Sequence, residues 1–103
     1  MARPVTRLFD PDVPHCGPMN RAKGAETVFV NGLPWSRVFD PNNPHLKPNP
    51  APPPPCIIHT TVIIDGSKTV YPQGPPAGRI MDKLGPDECT TTGKGSPNVF
   101  AGG

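Results

Sequence analysis

Six side chains in this sequence are of types that hold metals or act as nucleophiles: three histidines and three cysteines. They fall as His15-Cys16, His45, Cys56-x-x-His59 and an isolated Cys89. Imidazole mixed with thiolate is the donor set zinc favours. Three neutral imidazoles and one thiolate fill a tetrahedral shell and leave no open position, so such a site is structural. The expected ligands are His15, His45, His59 and Cys89. Cys16 and Cys56 stand beside or near histidines and remain rival sulfur donors. Zinc is the first choice on mixed sulfur and nitrogen ligation, with iron the alternative. No Cys-x-x-Cys pair of the zinc-finger kind is present. An odd number of cysteines does not make a disulfide framework. Catalysis is not expected: neighbouring Cys and His seldom reach reacting geometry, and no spacing identifies a third, orienting group.

A repeat must bring these ligands together. Arg7-Leu8-Phe9-Asp10-Pro11-Asp12-Val13-Pro14-His15 returns thirty residues later, without a gap, as Arg37-Val38-Phe39-Asp40-Pro41-Asn42-Asn43-Pro44-His45. Pro4 and Pro34 extend the match upstream. Arg79-Ile80-Met81-Asp82 is a weaker third copy, with Pro76 in the place of Pro34. There Asp87 stands at the matching distance, with Cys89 two residues on. Lys94 to Phe100 likewise echoes Lys23 to Phe29. A period of this kind must be found before any fold is argued.

Composition argues against a large core. The chain has 103 residues, among them 18 prolines and 11 glycines, close to the level that usually means disorder. The β-branched runs Thr27-Val28-Phe29-Val30 and Thr61-Val62-Ile63-Ile64 oppose that reading. The length predicts a single domain over residues 1–103. A formal charge of +2 gives no push toward nucleic acid,. Arg21, Lys23, Arg79 and Lys94 are scattered, and Phe29 and Phe100 read as strand core. Gly93-Lys94-Gly95-Ser96 lacks the order of a phosphate loop. No apolar run approaches a membrane span, and no secretory signal opens the chain.

The elements that position the ligands are strands. Prolines interrupt nearly every helical window, and no window shows apolar residues at helical spacing. Val5 to Phe9 is a short strand run ending in Asp-Pro. Thr27 to Val30 and Trp35 to Phe39 form a hairpin through Asn31-Gly32. Thr61 to Ile64 is closed by Asp65-Gly66, with residues 68–75 lengthening that turn. The proline-rich stretch of about 46–56 reads as a stiff, extended loop, or as a polyproline ligand. Trp35 reads as core or interface. An outgoing strand begins the chain and an incoming strand ends it, so the two ends join into a third unit. The expected fold is all-β: a small cone of three pseudo-threefold β-hairpin-like repeats, little or no helix, and a metal-stapled apex. Loops 11–26, 41–60 and 83–97 gather at one end.

The chain resembles the PAAR-repeat proteins, the conical tips of contractile injection spikes in tailed phages and type VI secretion systems. The resemblance rests on Val28-Phe29-Val30-Asn31-Gly32-Leu33-Pro34, on Arg37-Val38-Phe39-Asp40 and on the closing Lys94 to Gly103, and it spans essentially the whole chain. Family members usually have Gly where Phe9 and Phe39 stand, and a small residue where Trp35 stands. The resemblance implies zinc near the apex on His15, His45, His59 and Cys89. It also implies a base seated on a trimeric β-helical spike, one chain per trimer. Asn31, Gly32, Leu33, Asp65, Gly66, Gly102 and Gly103 are the expected base contacts.

The function so implied is a structural tip that sharpens the spike and aids piercing of a target-cell membrane, located in a virion or secreted by a type VI system. It needs no nucleic acid and no small-molecule substrate. The alternative is a small zinc-binding adaptor that carries cargo through its base or its proline-rich loop.

Overall fold

The computed structural model describes residues 2–86 and 90–102. Among them the chain is all-β, with eight short strands and no helix. Proline removes ladder donors, which keeps the strands short. They are β1 (Arg3–Pro4), β2 (Phe29–Val30), β3 (Leu33–Pro34), β4 (His45–Pro48), β5 (Cys56–His59), β6 (Val62–Ile63), β7 (Leu84–Gly85) and β8 (Phe100–Ala101). All pairing is antiparallel: β1 with β8, β2 with β3, β4 with β5, β6 with β7. The β1·β8 pair joins the two ends of the chain. The body measures 42 × 23 × 22 Å.

The repeats are arranged in a closed cycle, visible in the backbone hydrogen bonds. Thr6 N donates to Gly78 O (3.1 Å), Gly78 N to Ser36 O (2.9 Å), and Ser36 N back to Thr6 O (3.1 Å). A second cycle runs Leu8 N to Pro34 O, Val38 N to Pro76 O and Ile80 N to Pro4 O, at 2.8, 2.9 and 2.8 Å. Gly78 sits where three backbones converge: a Cβ there would lie 2.7 Å from both Ser36 O and Ile63 Cδ1.

Each copy makes the same tight turn. The carboxylate of Asp10, Asp40 or Asp82 accepts from the backbone N–H of Arg7, Arg37 or Arg79 at 2.8, 2.9 and 2.7 Å. The same guanidinium then grips the same carboxylate, so backbone and side chain close one ring,. The turn therefore lies before the Asp-Pro step, within Arg-x-x-Asp. Its third residue is left-handed: φ is +75° at Phe9, +74° at Phe39 and +64° at Met81. Glycine is the residue such a turn prefers, which explains why the resembled family usually has glycine at two of these positions. All three side chains are exposed.

Two of the expected turns need correction. The second hairpin does not turn at Asp65-Gly66. It turns at Gln73-Gly74, with φ of +58° and +109°, as the first turns at Asn31-Gly32 with +53° and +84°. Gly66-Ser67 instead begins a third copy of Gly24-Ala25 and Gly95-Ser96. Ala77 N donates to Val70 O as Trp35 N does to Val28 O and Val5 N to Val99 O. The proline-rich stretch is not an open extended loop either. Residues 45–48 pair with 56–59 to form a hairpin.

The core is small and split. Val5, Val30, Ala77 and Ala101 form one buried cluster, with Trp35, Val70 and Val99 packed against it. Met19, Val38, Ile63 and Leu84 form the other. Trp35 is half-buried, its indole N–H donating to Gly78 O at 3.2 Å. Phe29 and Phe100, expected in the core, are 56% and 54% exposed; their partners Val30 and Ala101 turn inward instead. Of the four cations expected to be scattered, Arg21 and Arg79 are buried.

Candidate metal centre

Successive sets of equivalent backbone hydrogen bonds lead from the hairpin turns toward the histidines. Beyond the Arg-x-x-Asp turns, Asp12 N donates to Met19 O, Asn42 N to Thr61 O and Leu84 N to Thr90 O. These place Asp12, Asn42 and Leu84 at equivalent positions. The first two carry a buried polar network. Arg21 Nη1 donates to Asp12 Oδ2 at 3.0 Å, and Asn42 Nδ2 donates to the same oxygen at 3.1 Å. Asn42 also clamps Thr61: Asn42 Nδ2 donates to Thr61 Oγ1 (2.7 Å), and Thr61 N donates to Asn42 Oδ1 (2.9 Å). Residue 42 leads into β4 and residue 61 follows β5, so this clamp sets the root of the β4–β5 hairpin.

That root carries two of the histidines. His45 opens β4, His59 closes β5, and the two are direct cross-strand partners. Opposite residues of an antiparallel pair share one face. Their ring centroids are 4.4 Å apart, edge to face. His15 arrives from the first loop, with centroids 5.3 Å from His45 and 5.1 Å from His59. One ligand nitrogen from each of the three lies within 4.8 Å of the others. The three histidines are close enough to hold a metal ion.

The donor chemistry fits such an ion. His45 Nδ1 lies 2.8 Å from Asn43 O. A carbonyl can only accept, so Nδ1 carries the proton and Nε2 presents its lone pair. His45 is 5% exposed, and that Nε2 is buried without a hydrogen-bond partner. A carbonyl that fixes the tautomer in this way is the usual outer support of a metal-bound imidazole. His59 Nε2 and His15 Nε2 are 3.2 Å apart. Metal–nitrogen bonds of about 2.0–2.1 Å in a tetrahedron separate the nitrogens by roughly 3.3–3.4 Å.

Charge beneath the site is balanced at a desolvation cost. Burial pushes the Asp12 carboxyl up, with the Arg21 charge and the Asn42 and Arg21 hydrogen bonds opposing it in part. Burial likewise lowers the Arg21 guanidinium, against the pull of Asp12. One Asp12 oxygen, Oδ1, is buried with no hydrogen-bond partner.

Of the expected sulfur donors, Cys89 lies outside the described residues. Cys16 and Cys56 are bonded to each other, with Cα atoms 6.3 Å apart and a sequence separation of 40. They are therefore not rival ligands in this form, and the odd cysteine count concealed a cross-link. The Asp12–Arg21–Asn42 network was also missed. Its one signal was the matched pair Asp12 and Asn42, two residues after each turn aspartate. Asn43 O, which orients His45, leaves no side-chain signal at all.

Gly103 of the expected base set is outside the described residues. Of the others, Asn31 and Gly102 join Gln73, which the expected set did not include, in a cycle of hairpin ends; Asp65 and Gly66 are not part of it. Arg7 Nη1 donates to Asn31 Oδ1 (3.2 Å), Arg37 Nη1 to Gln73 O (3.4 Å), and Arg79 Nη1 to Gly102 O (3.3 Å). Each turn arginine thus holds the end of another hairpin, and Asn31, Gln73 and Gly102 are equivalent. Among the described residues no helix is long and apolar enough to cross a membrane. No family model and no curated protein matches the chain.

Proposed function

We propose that this chain is a PAAR-like tip protein that caps the trimeric β-helical spike of a contractile injection machine. The carrying observation is the cycle of hairpin ends Asn31, Gln73 and Gly102, each held by an equivalent arginine. One chain built on a pseudo-threefold axis meets a threefold partner with three near-equal contacts. Phe29, Tyr71 and Phe100 occupy equivalent positions beside those ends and are 56%, 53% and 54% exposed, apolar surface suited to such a seat,. In the proposed base, Gln73 and Gly74 take the place of Asp65 and Gly66, beside Asn31, Gly32, Leu33, Gly102 and Gly103.

At the other end, His15, His45 and His59 hold zinc, with Cys89 as fourth ligand. The ion supplies a cross-link between the first loop and the β4–β5 hairpin, and no open position for catalysis. Iron fits three imidazoles and a thiolate less well than zinc does. The hairpin end suits passage into a membrane. Residues 48–55 contain only two backbone N–H groups, because the other six residues are prolines. Asn49 N donates to Pro55 O and Ala51 N to Asn49 Oδ1, while Asn49 Nδ2 donates to Pro54 O. An unsatisfied donor is what an apolar medium penalises most, and both backbone N–H groups of residues 48–55 are bonded,. The protein so read acts in a virion or as part of a type VI secretion spike, contacts the target membrane in passing, and carries out no reaction.

The adaptor reading draws on the same hairpin, since Leu46 and Ile58 form an exposed cross-strand pair that a cargo protein could cover. Native mass spectrometry with a trimeric β-helical spike protein separates the readings. One chain per trimer supports the tip; three chains per trimer overturns it.

A further inference from the structure

The Cys16–Cys56 bond joins the same two elements as the histidines. Cys16 adjoins His15 in the first loop; Cys56 begins β5, the strand that ends in His59. The first loop also meets the root of this hairpin, where Asn43 N donates to Asn20 O, Asn20 N to Asn43 Oδ1 and Asn42 Nδ2 to Asp12 Oδ2, but the Cys16–Cys56 bond is a covalent tie, made beside His15 and at the start of β5. We infer that Cys16 and Cys56 are positioning residues of the metal centre: their bond holds His15 against His45 and His59 and thereby strengthens metal binding. The inference rests on the three-histidine metal reading.

The physical basis is preorganisation. Without the bond, more of the ordering of His15 against the hairpin must be driven by the metal itself. With it, that ordering is complete before the ion arrives. Linkage makes the effect reciprocal: a cross-link that favours metal is favoured by metal to the same factor. Formation of the bond is an ordinary exchange. The Cys16 thiolate attacks glutathione disulfide and releases one glutathione; the Cys56 thiolate attacks the mixed disulfide and releases the second. Two protein thiols are oxidised, one glutathione disulfide is reduced, and two protons leave with the thiols. Closing the bond also withdraws two sulfur donors that would compete for the ion beside the imidazoles.

The test compares the oxidised wild type with the double variant Cys16→Ser, Cys56→Ser. Zinc dissociation constants are measured by competition with a chromogenic chelator. The expected result is a roughly 5- to 150-fold weaker affinity in the variant, the usual range for coupled sites. Equal affinity overturns the inference and leaves the metal site standing. Failure of the oxidised wild type to bind zinc overturns the metal reading as well, so the two failures are distinguishable. A second measurement needs no variant. The wild type is equilibrated in glutathione redox buffers, with zinc or with chelator, and the Cys16–Cys56 midpoint is read by thiol trapping. A tenfold coupling moves the midpoint by about 30 mV toward more reducing potentials when zinc is present. A merely stabilising cross-link leaves the two midpoints equal, and that outcome also refutes the positioning role.

Discussion

Phe39 is a large side chain at a φ of +74°, the third residue of an Arg-x-x-Asp turn, and it is 73% exposed. The left-handed region costs a side-chain-bearing residue roughly 1–2 kcal/mol. Glycine escapes that cost but gives up about 0.5–1 kcal/mol of backbone freedom on folding. Replacing Phe39 by either Gly or Ala loses the same packing, about a quarter of the phenyl surface, on the order of 1 kcal/mol. The two variants differ only in how they tolerate the backbone. Phe39→Gly should therefore be more stable than Phe39→Ala by about 0.5–1 kcal/mol. In regular strand the order is the reverse.

Thermal unfolding followed by circular dichroism, in chelator to remove any metal contribution, reads this directly. For a domain of this size 1 kcal/mol moves the midpoint by about 4–8 °C. The glycine variant should melt roughly 2–8 °C above the alanine variant. Leu46, exposed in β4 and not left-handed, is the control, and there alanine should melt above glycine,. The same inversion is expected at Phe9 and Met81. Alanine equal to or above glycine at Phe39 would refute the left-handed turn and the cost assigned to it.

Elemental analysis of the purified protein should find about one metal ion per chain, and His45→Ala, which removes the buried Nε2, should abolish it. Asn42→Ala removes both halves of the Thr61 clamp and one donor to Asp12 in a buried setting; a loss of about 2–3 kcal/mol is expected by urea unfolding. The pH dependence should carry an unusual sign. Burial raises the carboxyls of Asp12 and Asp82 above their ordinary range, so the folded state binds more protons there than the unfolded one. Their contribution is complete below the ordinary carboxyl pKa and is lost as pH rises through the raised value. In a His45→Ala background, Asp82→Asn should flatten that part of the stability profile just above the ordinary carboxyl pKa, and an unchanged slope would speak against the burial argument,.

What could be read in advance, and what could not, divides along physical lines. The Arg-x-x-Asp copies were legible because side chains make them: the carboxylate closes on its own arginine, and no substitute does both jobs. The joining of β1 to β8 was legible because each end held half of a recognisable pair. Gly66 to Tyr71 repeats the Gly, the Val and the aromatic of Gly24–Phe29 and Gly95–Phe100, and the backbone bonds at Val28, Val70 and Val99 match too, but the β-branched run Thr61 to Ile64 just before it draws the strand assignment instead,. The proline stretch was misjudged because its prolines outweigh its flanks. Only Pro48 falls within the ladder, and Leu46 and Lys47 still pair with Ile58 and Ile57.

The same division separates the two ends of the molecule. At the hairpin ends all three copies agree: Arg7, Arg37 and Arg79 each hold an equivalent position, and Phe29, Tyr71 and Phe100 repeat one exposed aromatic. Toward the loops the copies diverge in steps. Asp12 and Asn42 are polar where Leu84 is apolar, and Arg21 stands at the place that Ile63 and Thr92 hold in the other copies, each carbonyl accepting from the third residue of a turn. Then His15 comes from one copy while His45 and His59 both come from the next. A surface that must meet three equal partners keeps its copies alike. A single ion on the axis has no such demand, since its ligands can come from any copy that reaches it. Under the proposed function, the loss of threefold likeness toward the histidines fits a symmetric seat below one metal. Exchanging Leu84 for Asn, to restore the likeness, should disturb the Met19–Ile63–Leu84 cluster without improving the site,.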